Sequence, residues 1–229
     1  RYVFHESGTL VSGIIGGLYS STATISVLAR KSRKASEQEA TEYVAAMLLA
    51  VSMMFLRFMI LILIFSREIF LSIYPYLLIM SVVSAIVGWF IHSRQKLPKD
   101  TSVESEEDDS SNPLEFKVAL IFAVLFVVFT VLTHYTLVYA GTSGLNLLSF
   151  VSGFSDITPF ILNLLQNTGS VAVLIITACS MQAIVSNILV NMFYALFFAG
   201  KRSKLRPWIL GGFGAVIACN LVLLLFFYL

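Results

Sequence analysis

Hydrophobic residues are gathered into seven long runs, which define the elements that the sequence predicts. The runs cover about residues 9–30, 42–66, 69–92, 116–140, 145–166, 170–199 and 206–229. Each is close to the length of about 20 apolar residues at which an α-helix crosses a bilayer. None alternates apolar and polar residues as the strands of a membrane barrel do. The pattern therefore predicts an all-α integral membrane protein.

The composition narrows the function classes. Hydrophobic residues make up 58% of the chain and charged residues 12%, where a soluble domain carries about 25% charged residues. The composition therefore excludes a soluble enzyme, a secreted disulfide scaffold and a nucleic-acid binder. The expected partner is the lipid bilayer. Motifs for phosphate binding, nucleophilic catalysis or paired-carboxylate hydrolysis are absent from the sequence, so we expect no enzyme.

One polar linker interrupts the apolar runs. Its stretch SVESEEDDSSNP is acidic and rich in serine, a composition typical of solvated segments that do not pack. It divides the chain into a first membrane repeat over residues 1–92, a linker over 93–115 and a second membrane repeat over 116–229.

The first and fifth runs differ from the others in their small and polar residues. GLYSSTATISVLA and GFSDITPFILNLL align without a gap when Gly17 is set against Gly153. The layout downstream is also similar, with a proline in the last run of each half, so the chain is predicted to contain two related repeats.

Basic residues favour one topology for these repeats. If the first and fifth runs are re-entrant, every basic cluster falls on one face of the membrane, as short cytoplasmic loops require, and only Arg67 faces the other. Five helices then cross fully, the two repeats are inverted, and the first lacks an opening helix that we expect to precede Arg1. The alternative is seven spanning helices, since Gly and Ser also serve close helix packing. The clusters predict a cytoplasmic 93–115 linker and comprise Arg30, Lys31, Arg33, Lys34, Arg94, Lys96, Lys99, Lys117, Lys201, Arg202, Lys204 and Arg206.

Three stretches carry a resemblance to a known family. GGLYSSTATISVLARKS, NPLEF and SGFSDITPFILNLL resemble the MgtC/SapB-type membrane proteins, and more narrowly the C-terminal membrane domain of unknown function in their longer members. The resemblance implies a bacterial inner-membrane protein associated by name with magnesium. In that family an acid is commoner where Thr158 stands and a lysine where Asn191 stands, so both departures remove charge.

Two charged side chains lie deep within the apolar runs, Arg57 and Asp156. Charged groups at that depth are costly and face a polar cavity or each other. Asp156, with Ser155 and Thr158, would offer oxygen ligands to a hard cation such as magnesium or sodium, or it would cap the helix that starts near Pro159. Arg57 would pair with Asp156, or face an anion beside the helix end near Ser20 to Thr22.

Two asparagines complete the predicted site. Asn187 and Asn191 lie four residues apart on one helical face and align roughly with Met53 and Arg57 of the first repeat. They are expected to line the same interior, or to hydrogen-bond between helices. The predicted ion or substrate site comprises Ser20, Ser21, Thr22, Arg57, Ser155, Asp156, Thr158, Asn187 and Asn191, with Asp156 as the candidate metal ligand.

Two functions follow from this reading. The first is a small-ion channel or secondary transporter, for magnesium or another small cation, with its site near the membrane midplane between the repeats. The second is a membrane sensor or scaffold in which the polar motifs only pack helices together. No cofactor is expected beyond such a bound cation. The small residues would also suit packing between two copies, so a homodimer is a further expectation.

Overall fold

The computed structural model describes residues 8–33, 37–94, 113–166, 171–200 and 205–228. These residues form helices and no strand, which confirms the all-α prediction. Six of the helices are long and apolar enough to cross a membrane, judged by length and composition. The helices are α1 (Thr9–Ser32), α2 (Glu37–Phe65), α3 (Arg67–Ser93), α4 (Pro113–Ser152), α5 (Ile157–Gln166), α6 (Val173–Ala199) and α7 (Arg206–Tyr228).

The predicted runs coincide with these helices, with one change at the fourth and fifth. α4 covers the fourth run and the first part of the fifth, whose remainder is α5, and α4 is interrupted at Gly141, whose φ of 58° and ψ of −148° are not helical. A positive φ is open to glycine because it has no Cβ atom. Most of the predicted linker lies outside the described residues, so the division into 1–92, 93–115 and 116–229 stays a prediction.

α1 is a helical hairpin rather than a straight span. Ser20, at its middle, has an extended backbone conformation with φ −156° and ψ 106°. A Cβ atom at Gly16 would lie 2.5 Å from Thr24 Oγ1, although residues eight apart in a straight helix are separated by about 12 Å along the axis. The chain therefore doubles back at Ser20. We call residues 9–32 hairpin 1.

The first arm of hairpin 1 packs parallel to α2. A side chain at Gly13 would collide with the carbonyl of Ala46, and one at Gly17 would lie 2.5 Å from Ala50 Cα. The contact moves four residues along both helices together, so the two run in the same direction. Only glycine permits this approach of the two backbones. The second arm returns the chain to the start of α2.

A second hairpin is built in the same way from residues 142–166. The chain turns back after α4 reaches Gly141, because a Cβ atom at Gly144 would lie 2.7 Å from the Thr136 side chain. The arm before the break packs parallel to α6, with hydrogen-bonded pairs 33 residues apart: Asn146 with Cys179, and Ser149 with Gln182. The same separation relates the glycine contacts of hairpin 1 and α2. We call residues 142–166 hairpin 2.

The two hairpins enter the bundle from opposite ends. Arg33, which ends hairpin 1 beside the start of α2, contacts Gly200 at the end of α6. The first arm of hairpin 1 follows α2 from its start, and the first arm of hairpin 2 follows α6 from its start. α2 and α6 therefore point in opposite directions, and the two halves are inverted relative to each other.

Among the described residues, this arrangement leaves five uninterrupted helical segments of spanning length: α2, α3, the α4 segment before Gly141, α6 and α7. Each arm of a hairpin has about 10 to 12 residues, about half of what a bilayer core needs. The alternative of seven spanning helices is therefore wrong for the described chain.

Candidate functional site

The tips of the two hairpins meet at a cavity of about 360 Å³. α2 and α6 close its sides, so the cavity lies between the two halves of the protein. Seven of the nine predicted site residues line it, three from hairpin 1 and four from hairpin 2, α2 and α6. Its lining consists of Ser20, Ser21, Thr22, Ala23, Ser26, Met54, Arg57, Phe154, Ser155, Asp156, Ile157, Asn187 and Tyr194.

Each hairpin tip is a helix break followed by a capped helix. Ser20 Oγ accepts a hydrogen bond of 3.4 Å from the backbone N–H of Ala23. Asp156 Oδ1 accepts one of 2.9 Å from the backbone N–H of Thr158. Both are N-caps, which occupy one of the N–H groups that a helix start leaves free. The capping role predicted for Asp156 is therefore observed.

Arg57 ties the two tips together. Its Nη1 donates to the carbonyl oxygen of Tyr19 at 2.6 Å, and its Nη2 donates to Thr158 Oγ1 at 3.1 Å. Its Nε is buried and has no hydrogen-bond partner among the described residues. Arg57 and Asp156 line the same cavity, but the guanidinium donates to these two oxygens instead of forming the predicted pair.

The two asparagines connect hairpin 2 with the interior of α6. Asn187 Nδ2 donates to the carbonyl oxygen of Gly153 at 3.2 Å, and Asn191 Nδ2 donates to Asn187 Oδ1 at 3.1 Å. Asn187 faces the cavity, while Asn191 is fully buried behind it. Asn187 therefore has both predicted roles: it lines the cavity, and it forms a hydrogen bond between α6 and hairpin 2.

The rough alignment of these asparagines with Met53 and Arg57 is wrong by two residues. Gly17 contacts Ala50 and Gly153 contacts Ser186 in the same way, which sets Asn187 opposite Val51 and Asn191 opposite Phe55. Equivalent positions of α2 and α6 therefore differ in polarity, and Arg57 has no charged counterpart on α6.

The structure brings most of the predicted residues together. Seven of the nine line the cavity directly. Thr158 does not line it but accepts a hydrogen bond from Arg57, and Asn191 lies behind Asn187. Sequence reasoning missed Ser26 and Tyr194. A signal was present, because Ser26 is one helical turn after Thr22 and Tyr194 is about one turn after Asn191.

The chemistry of the site is that of a mixed polar pocket. Asp156 is the one carboxylate that lines it, and the described residues hold no group of three or more His, Cys, Asp or Glu side chains suited to a metal ion. Asp156 as a metal ligand stays a prediction. The predicted residues offer hydroxyls, amides, one guanidinium and one carboxylate. These groups can form hydrogen bonds to a ligand and balance its charge.

Residues 1–199 match the family described as Domain of unknown function (DUF4010). The chain belongs to this family. The DUF4010 chain is also similar to an uncharacterized protein of Aquifex aeolicus (strain VF5), with 26% identity over 224 residues that cover 96% of each chain. No solved structure matches it. The family assignment and the helices together identify a multi-pass membrane protein, and they give it no activity.

Proposed function

We propose that this DUF4010 protein moves a small ion or solute across the membrane, as a secondary transporter or a channel, and that it is not an enzyme. The observation that carries the proposal is the meeting of two inverted hairpin tips at one polar cavity. Broken helices whose ends face a site between inverted repeats are a recurring design of membrane transporters.

The free-energy cost of placing charged side chains and interrupted backbone within the membrane supports the same function. Arg57 and Asp156 lie within apolar stretches, and charged groups at membrane depth are kept where a polar pathway requires them. Interrupted backbone at that depth is tolerated where it is buried in protein or lines a water-filled cavity.

Several finer points belong to the same proposal. The likeness to MgtC/SapB-type proteins rests on the motifs around Gly17 and Gly153. That likeness and Asp156 make magnesium one candidate cargo, and a small anion is the other. Arg33, Arg94 and Arg206 lie at one end of the bundle, and positive charge favours the cytoplasmic side. This supports a bacterial inner-membrane protein with a cytoplasmic 93–115 linker. A small ion and a second copy of the chain are the proposed partners.

A sensor or scaffold is the rival function. Arg57 bonded to both tips is also what a rigid, non-transporting module would use, since it fixes the two halves against each other. The two functions differ in one measurable property, which is flux through the protein.

The test is reconstitution of the purified chain into liposomes with an imposed salt gradient. Flux of sodium, potassium, magnesium and common anions is followed with ion-selective dyes. We expect flux in the wild type and a loss of ten-fold or more in Arg57→Gln. Arg67→Gln is the matched control, because Arg67 is exposed at a helix start outside the cavity. Absence of flux for every ion, with folded protein, would overturn the transport proposal in favour of the sensor.

A further inference from the structure

We infer that the cavity takes a small anion, held between the tip of hairpin 1 and Arg57. The inference rests on the proposed function and names the class of its cargo. It departs from the cation that Asp156 suggests in the sequence, and three features of the cavity support it.

The first feature is the direction of the two second arms. The arm after Ser20 and the arm after Asp156 both begin at the cavity, with Ser21, Thr22 and Ile157 in its lining. A helix start presents free N–H groups and carries the equivalent of about half a positive charge. Such an end binds anions readily. The first arms also end at this cavity, and the carbonyl groups of a helix end favour a cation. Arg57 donates to the carbonyl oxygen of Tyr19 and Asn187 donates to that of Gly153, so these carbonyls are engaged while the two helix starts favour an anion.

The second feature is an unused hydrogen-bond donor in the lining, next to a buried guanidinium. Ser21 is 4% exposed and lines the cavity, and its hydroxyl has no hydrogen-bond partner among the described residues. Arg57 Nε is buried and also without one there. An anion in the cavity would accept from Ser21 Oγ and lie beside the positive charge of the Arg57 guanidinium.

The third feature is the balance of charge. Arg57 contributes one full positive charge and the helix starts add to it, while Asp156 contributes the one negative charge among the described residues of the lining. Asp156 Oδ1 is engaged by the N–H of Thr158, and the carboxylate stands on hairpin 2. Hairpin 1 brings a helix start and no carboxylate to the described lining, so the anion is placed at its tip, within reach of Arg57, which bonds to both hairpins.

The size of the cavity limits the anion. A water molecule takes about 30 Å³ in the liquid, so about 360 Å³ accommodates a halide or a small oxyanion with several waters. Chloride, nitrate and sulfate are suitable probes, each added as the sodium salt. Gluconate, also as the sodium salt, is the bulky reference anion.

The test is the thermal stability of the purified chain in detergent against each anion at constant ionic strength. A ligand that binds the folded state raises stability by mass action, so the titration gives an apparent Kd. The decisive variant is Asp156→Asn, whose side-chain oxygen can still cap Thr158. For an anion site, removal of the opposing carboxylate tightens binding, by three-fold or more. For a cation site, the same change abolishes binding.

Two serine variants complete the design. Ser21→Ala is expected to weaken anion binding five-fold or more, because it removes one unused donor. Ser84→Ala is the matched control, since Ser84 is fully buried on α3 and donates to Met80 of its own helix. No anion-dependent shift, or one unchanged by Ser21→Ala, overturns the inference. A shift with magnesium or sodium ions that Asp156→Asn removes also overturns it, while leaving the proposed transport intact. The liposome flux measurement tests the proposed transport separately from anion binding.

Discussion

Ser20 and Asp156 occupy equivalent positions in the two halves of the protein: each breaks the helix of its hairpin and caps the arm that follows. The separation between them equals that between Gly17 and Gly153, and that between Ala50 and Ser186. One cap is a hydroxyl and the other a carboxylate. Both halves therefore place an oxygen acceptor at this position, and only the second half adds a negative charge there.

The caps predict a contrast between two substitutions at one position. Asp156→Ala removes the acceptor of the Thr158 N–H and should lower the free energy of unfolding by about 0.5–2 kcal/mol. Asp156→Asn keeps an acceptor there and should cost clearly less. Unfolding in detergent, followed by circular dichroism, measures both. Equal losses in the two variants would show that the charge, rather than the hydrogen bond, holds the tip.

Close backbone approach predicts large effects at two glycines. A Cβ atom at Gly17 would lie 2.5 Å from Ala50 Cα, and one at Gly153 would lie 2.7 Å from the backbone nitrogen of Asn187. Gly17→Ala and Gly153→Ala should each destabilise the protein by about 1–3 kcal/mol, because the hairpins must move away from their helices.

The matched control for these glycines is Gly214→Ala on α7. No atom lies within 4 Å of a Cβ atom there, so alanine should be neutral or should stabilise the helix by about 0.5–1 kcal/mol. Thermal unfolding of the three variants side by side is the measurement. If all three behave alike, the tight packing of the hairpins is not what sets stability.

A buried hydrogen bond between α3 and α7 predicts a further loss. Tyr76 is fully buried, and its hydroxyl donates to Asn220 Oδ1 at 2.8 Å. Tyr76→Phe leaves the buried amide without this donor and should cost about 1–3 kcal/mol. Tyr74→Phe, on an exposed side chain of the same helix that stacks on Phe70, should cost little. Thermal melting of both variants checks the difference.

Much of this architecture could be predicted from the sequence. The apolar runs fix the helices because a helix that crosses lipid must be apolar along its length. The Gly/Ser-rich tips at Ser20 and Ser155 mark where the helices break. The arrangement of basic residues favoured inverted hairpins, and the contacts of Gly13 and Gly17 with α2 agree.

Other features depend on three-dimensional contacts. The register of α6 against hairpin 2 follows from the Gly153 contact with Ser186, and no local pattern specifies which turn of a helix meets a neighbour. The sequence offers two roles for Arg57: a pair with Asp156, or an anion beside the helix end near Ser20 to Thr22. The fold instead places a backbone carbonyl and Thr158 within its reach.

Both proposals depend on two hairpins that enter from opposite faces of the membrane, so side-specific labelling of single cysteines tests the account most directly. Cys179 and Cys219 are first replaced by alanine, and cysteine is then placed at exposed helix ends: Arg33, Arg67, Arg94, Gln166 and Arg206. A membrane-impermeant maleimide is applied to intact cells and to inverted vesicles. We predict that positions 67 and 166 react from one side and positions 33, 94 and 206 from the other. If position 166 is labelled from the same side as position 94, and position 206 from the same side as position 67, the inverted hairpins are contradicted.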